Sequence, residues 1–75
     1  MLDTIRNIIC DFVEIEPEEI NENSVLRTEL GLNSLDYVSV AQELEKEYSI
    51  TIDNSSLASF KTVGDIMNYI EKNRN

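Results

Sequence analysis

Apolar residues recur along this chain at spacings of three and four, the period of a helix with one face turned to a core. Leu2, Ile5, Ile8, Ile9, Phe12 and Val13 form the first such stripe. Asp3 or Thr4 is suited to cap its start. Pro17 disfavours helix in the residue before it, so this helix is expected to end near residues 13–15. A second stripe, Leu35, Val38, Ala41, Leu44 and Tyr48, widened by Tyr37 and Val40, predicts a helix from about Ser34 to Tyr48. A third joins Val63, Ile66, Met67, Tyr69 and Ile70. Thr62 opens it with Asp65 three residues on, a capping-box spacing with aspartate in place of the usual glutamate. Lys72 and Arg74 fall in its last turn, where cations suit the helix dipole.

The segments between are less regular. Residues 14–31, EIEPEEINENSVLRTELG, make a long acidic connection. Such a length is unusual inside a small domain. Ile20, Val25, Leu26 and Leu30 anchor it as a loop packed over the core, with room for one short helical turn. SITID alternates but is too short for a sheet of its own, so Ile50 and Ile52 read as an extended connector. NSSLASF predicts one or two helical turns with Leu57 and Phe60 inward. The expected fold is all-α: a small bundle of three main helices plus one short helix, with a long loop between the first and second helices.

Length and composition narrow what such a bundle can do. Seventy-five residues support a single domain, residues 1–75, that buries about 60% of its unfolded surface. Cys10 is the only cysteine and there is no histidine, so neither a disulfide nor a zinc site is expected. Cys10 lies among Ile8, Ile9, Phe12 and Val13 and reads as a core cysteine rather than a reactive thiol. A lone cysteine also fits a reducing cytoplasm. No basic start followed by a long apolar run marks a signal peptide, and no apolar run is long enough to span a bilayer. The net charge of -9 argues against nucleic acid and anionic membranes as partners and favours basic protein surfaces. It also serves solubility alone. No long unpaired apolar surface demands a dimer, so a monomer is expected.

Charge and pattern converge on ELGLNSLDYV, residues 29–38. Asn33 is a good N-cap, and Asp36 then falls at the position that reaches back to it. The cap leaves Ser34 unexplained. As a nucleophile Ser34 lacks a base: there is no histidine, and Lys46 and Lys72 fall on polar helix faces. A bundle this small has little room for a desolvated cleft, so an enzyme is not expected. As a modification site Ser34 is well placed. First-turn amides and the helix dipole favour a phosphate there, and Gly31 leaves room for another protein's active site to approach. Phosphorylation and attachment of a phosphodiester satisfy this reading equally.

LGLNSLDYVSVAQELEKEYSITID followed by KTVGDIMNYI resembles the acyl carrier proteins over the full chain. Leu30, Gly31, Leu32, Asn33, Ser34, Leu35 and Asp36 stand at the positions of the family's attachment pattern. Glu43, Glu45, Glu47, Tyr48, Ile50 and Ile52 match its acidic helix end and isoleucine-rich connector, and Thr62, Val63, Gly64 and Asp65 match the opening of its last helix. The resemblance implies that Ser34 carries a 4'-phosphopantetheine arm, installed from coenzyme A by a phosphopantetheinyl transferase. The arm's thiol would hold an acyl group as a thioester, and the protein would shelter the acyl chain between its helices. It would deliver that cargo to acyl-processing enzymes of fatty acid, related lipid or polyketide biosynthesis. Their basic surfaces would dock on Leu35, Asp36, Glu43, Glu45 and Glu47.

Three positions depart from the family's usual pattern. Asn33 stands where aspartate is common, Ser39 where glutamate is frequent, and Lys46 interrupts the late acidic run. Each removes negative charge from the docking surface. Ordinary solvated positions vary in this way, and so does a carrier with a different choice of partner. A specialised aminoacyl or peptidyl carrier and an unmodified interaction module with the same fold are the alternatives, and the presence of Ser34 weighs against the module. A second acidic patch, Glu14, Glu16, Glu18, Glu19 and Glu22, is either a solvated loop or a weak site for magnesium or calcium.

Overall fold

The computed structural model describes residues 1–74. It has four α-helices: α1 (Leu2–Cys10), α2 (Ser34–Tyr48), α3 (Asn54–Ser59) and α4 (Val63–Asn73). A single 3₁₀ turn, Pro17–Glu19, interrupts the long connection. Among the described residues the β-type pairing is one isolated antiparallel bridge, Val25 to Thr62. The all-α expectation and the bounds of α2 therefore hold.

α1 ends three to five residues short of the expected place. The amides of Phe12 and Val13 both turn back to the Ile9 carbonyl, at 2.9 and 3.2 Å, and close the helix. Phe12 and Val13 still pack against the core, so the apolar spacing outlasts the helix itself. Neither Asp3 nor Thr4 caps the start. Met1 holds that position without a side-chain bond, and Asp3 lies inside the first turn, paired with Arg6 at 3.0 Å. Cys10 is half-buried, with its thiol donating to the Ile15 carbonyl at 3.2 Å. Burial, then the nearby Glu16, Asp11 and Glu18 carboxylates, push its pKa up, which keeps the sulfur a thiol rather than a thiolate.

Residues 14–31 form a packed layer. Ile20, Leu26 and Leu30 are buried, Val25 is half-buried, and Leu32 adds an anchor just beyond. The layer is stitched to the start of α4. The Leu26 amide donates to the Lys61 carbonyl at 2.9 Å. The amides of Val63 and Gly64 donate to the carbonyls of Ser24 and Glu22, at 3.2 and 2.8 Å. Those first-turn amides have no acceptor within their own helix, so the loop supplies what the helix end lacks. The approach favours glycine: a Cβ at Gly64 would stand 3.1 Å from the Glu22 oxygen, and that backbone would have to give by a few tenths of an ångström.

Both expected capping boxes are present, Asn33 with Asp36 and Thr62 with Asp65. α2 ends on Ser49 in the left-handed region, φ 54°. Ile50 and Phe60 are buried, while Ile52 and Leu57 are half-buried. α2 buries Tyr37, Val40, Ala41 and Leu44, but its inward face is rotated from the expected stripe. Leu35 is 78% exposed and Val38 45% exposed. Both sit at helical spacing from true core positions, which is why spacing alone assigned them inward.

Candidate functional site

Ser34 is the first residue of α2 and is exposed. Its placement follows from the cap beside it. Asn33 Oδ1 accepts from the Asp36 amide at 2.9 Å, and Asp36 Oδ2 accepts from the Asn33 amide at 3.2 Å. This reciprocal pair fixes the helix start, which leaves Ser34 no structural duty. Asn33 makes the bond as a neutral amide, so aspartate's charge is not needed for the cap. The amides of Ser34 and Leu35 lie in the first turn, with no acceptor four residues back in the helix.

The approach to Ser34 is open. Gly31, three residues earlier, sits at φ 74°, a conformation that glycine adopts without strain. A Cβ there would meet nothing within 4 Å. The backbone turn therefore demands the glycine, while the space around it stays clear.

Arg27 is the side chain that hydrogen-bonds Ser34 Oγ among the described residues, and sequence reasoning missed it. Its Nη2 donates to Ser34 Oγ over a long 3.4 Å, and its guanidinium carbon lies 4.7 Å from the centre of the Tyr37 ring. The ring is fixed from behind, because the Tyr37 hydroxyl donates to the Phe60 carbonyl at 3.0 Å in a buried position. Burial pushes the Tyr37 phenol up more than Arg27 pulls it down, so it stays protonated as a donor. The one signal in the sequence was a single cation seven residues before the serine in an otherwise acidic loop. Among the described residues no carboxylate, imidazole or amine accepts a proton from Ser34 Oγ, so it has no general base of its own.

The remaining singled-out residues do not gather into one strip. Leu35 and Val38 share the outer face of α2 with Ser34. Asp36 is held in the capping box. Glu43 pairs with Lys46 at 3.5 Å, and both line a shallow surface groove with Ile8 of α1 and Glu47. Glu45 is half-buried and accepts from the Ile52 amide at 2.8 Å, which secures the connector after α2. Glu47 is exposed. Among the described residues no group of three or more carboxylate, thiol or imidazole side chains is placed to hold a metal ion, and Glu14, Glu16, Glu18, Glu19 and Glu22 stay spread along their loop.

Behind the site lies an apolar cleft of about 10 Å³, lined by Leu26, Leu32, Tyr37, Val40, Leu44 and Phe60 among others. That is room for about one water molecule. The bundle is closed in this state.

The phosphopantetheine attachment site family matches residues 3–70 of the chain. An acyl carrier protein of Wolinella succinogenes is 34% identical over 74 residues, spanning 99% of this chain and 97% of that one. One from Clostridium perfringens is 37% identical over 70 residues, spanning 93% and 92%. Among solved structures, the acyl carrier protein from Enterococcus faecalis superposes with a TM-score of 0.82 at 25% identity, over 96% of this chain and 91% of that one. No helix of the described residues is long and apolar enough to cross a membrane. Matched by this family over nearly its whole length, the chain belongs to the phosphopantetheine-attachment family of acyl carrier proteins, which carry acyl groups on a covalent 4'-phosphopantetheine.

Proposed function

We propose that Ser34 is the residue that carries the 4'-phosphopantetheine group, and that the chain delivers acyl thioesters to partner enzymes without doing chemistry of its own. The observation that carries this reading is an exposed, baseless hydroxyl at the first position of α2, beside a cap that does not need it. The surroundings fit a phosphodiester. Gly31 leaves the approach clear, Arg27 supplies a cation within reach of Oγ, and two first-turn amides face the same end of the helix.

Ser34 Oγ would form the new bond to the β-phosphorus of coenzyme A. The pyrophosphate bond breaks, adenosine 3',5'-bisphosphate leaves, and the serine proton goes to a base on the transferase. When bound, the group supplies a terminal thiol on which an acyl chain is held as a thioester. The chain's own residues do the rest. Asn33 and Asp36 hold the attachment point rigid at the helix start. Leu35 and Val38 offer an apolar contact beside it, and Asp36, Glu43, Glu45 and Glu47 supply negative charge for basic partner surfaces. The closed apolar cleft under α2 is the interior that a long acyl chain would spread open. Residues 1–75 act as one monomeric carrier domain, since α1, the connection, α2 and α4 all contribute to one core. The lone Cys10 suits a reducing cytoplasm.

The test is incubation with coenzyme A and a broad-specificity phosphopantetheinyl transferase, followed by intact-mass measurement. Wild type gains one phosphopantetheinyl group and Ser34→Ala gains none. An unmodified wild type, or a modified Ser34→Ala, would count against the assignment. A second reading, a specialised aminoacyl or peptidyl carrier, draws on Asn33 and Ser39, which lower the negative charge close to Ser34. The mass of the thioester on protein taken from its native cells separates the two cargo classes.

A further inference from the structure

Arg27 stands out among the cations of this chain. Three of the six lysines and arginines, Arg6, Lys46 and Arg74, pair with an acid three residues away. Arg27 does not. Among the described residues it makes no ion pair, although the chain holds 15 acidic side chains. Its guanidinium lies over the Tyr37 ring and donates to the hydroxyl of Ser34. The ring is a fixed platform, because Tyr37 is 7% exposed and its hydroxyl is tied to the Phe60 carbonyl. Stacking leaves the in-plane N–H fork of an arginine free for a planar or tetrahedral anion. A neutral hydroxyl at 3.4 Å is a weak partner for that fork.

We propose that Arg27, held on the Tyr37 ring, binds the phosphodiester formed at Ser34 and so positions the root of the arm against the connection before α2. The inference rests on Ser34 as the attachment residue. Modification at Oγ places anionic oxygens two bonds beyond the atom that Arg27 already reaches. The acceptor then changes from a neutral hydroxyl to an anionic oxygen, and a bond between opposite charges is shorter and stronger. Arg27 lies in the connection and Ser34 on α2, so the contact ties two segments that the unmodified protein joins only loosely at this point. The modified protein should therefore be the more stable form, and the gain should depend on the guanidinium.

The experiment uses the full chain as wild type, Arg27→Gln and Arg27→Lys, each before and after transfer from coenzyme A. Intact mass first establishes that Ser34 is modified in each. Two readouts follow: the change in melting temperature on modification, and the ³¹P resonance of the phosphodiester. Taking the difference within each variant removes any cost of the lost Arg27–Tyr37 stack. Wild type is expected to gain about 2–4 °C on modification, the effect of an exposed charge pair on a domain of this size. Arg27→Gln should lose most of that gain, and Arg27→Lys should keep part of it, since lysine keeps the charge but not the fork. The wild-type ³¹P resonance should move as salt is raised, and that of Arg27→Gln should stay put. Equal melting shifts and equal ³¹P behaviour in wild type and Arg27→Gln, with modification complete in both, would overturn the Arg27 assignment and leave Ser34 intact. A wild type that takes no group would overturn both.

Discussion

Replacing Leu35 by alanine tests whether this side chain serves the proposed docking of partners rather than the packing of the fold. The leucine is 78% exposed, directly after Ser34, and little of it touches the fold. Burying a leucine side chain completely is worth about 1.5–3 kcal/mol. A partner that covered the exposed part would therefore gain about 1.2–2.3 kcal/mol, a factor of about 7 to 50. This is an upper range, since interfaces return less than their full buried area. The fold should scarcely respond, because surface substitutions of this kind stay within about 0.5 kcal/mol and alanine is a good helix former. The assay is transfer from coenzyme A under kcat/KM conditions, beside a thermal melt. Leu35→Ala should lower kcat/KM by about 5- to 50-fold and move Tm by less than about 4 °C. Leu44→Ala, nine residues further along α2 and 1% exposed, sets the contrast, with a stability cost of about 2–5 kcal/mol. An unchanged kcat/KM, or a Leu35→Ala melt as damaged as that of Leu44→Ala, would refute the reasoning.

The supports of the site give three more expectations. Asn33→Ala should cost about 1 kcal/mol in denaturant unfolding, and Asn33→Asp should cost far less, because the cap uses an oxygen acceptor that aspartate retains. Gly31→Ala should cost about 1–2 kcal/mol from the left-handed backbone alone, with Gly31→Asn milder and no clash in either, as thermal melts would report. The pKa of Asp65 is held down by the amides of Lys61 and Thr62, which donate to its carboxylate at 2.9 and 3.1 Å. A depressed carboxylate stabilises the fold fully above its unfolded value of about 3.9 and loses that contribution as pH falls through the folded value. Unfolding curves should show wild type ahead of Asp65→Asn near neutral pH, with the gap closing in acid. A gap that persisted at about pH 2 would contradict this sign.

The parts of the structure legible in the sequence are those fixed by local chemistry. Asn33 with Asp36 and Thr62 with Asp65 mark helix starts, because each pair satisfies orphan amides in a way few other residues can. Gly31 was readable as an open approach, and the clear space around it agrees. What escaped depends on tertiary contacts. Phe12 and Val13 keep helical spacing after α1 has closed, since apolar periodicity records a buried face and not a hydrogen-bond pattern. Leu35 and Val38 share the spacing of the core stripe but lie on its far side, which becomes visible only when neighbouring elements cover Tyr37 and Val40 instead. Glu45 reads along the chain as an exposed acid, and its partner, the Ile52 amide, comes from the fold. Arg27 carried no motif, and its meaning comes from a ring and a hydroxyl brought to it by the fold.

The residues proposed for docking spread over two places in three dimensions. Leu35 and Val38 face outward with Ser34, while Glu43 and Glu47 border a groove beside Ile8 of α1. An enzyme that grips both must reach over the side of α2, whereas one that reads only the apolar face needs little more than the helix start. Substitutions at Glu47 and at Leu35 would therefore affect different partners to different extents.

The central claim is that Ser34 bears the arm. Fragmentation mass spectrometry on protein purified from its native cells tests it most directly. A phosphopantetheinyl group, with or without an acyl thioester, is expected on Ser34. Its location on another serine, or its absence from the protein, would contradict Ser34 as the attachment residue.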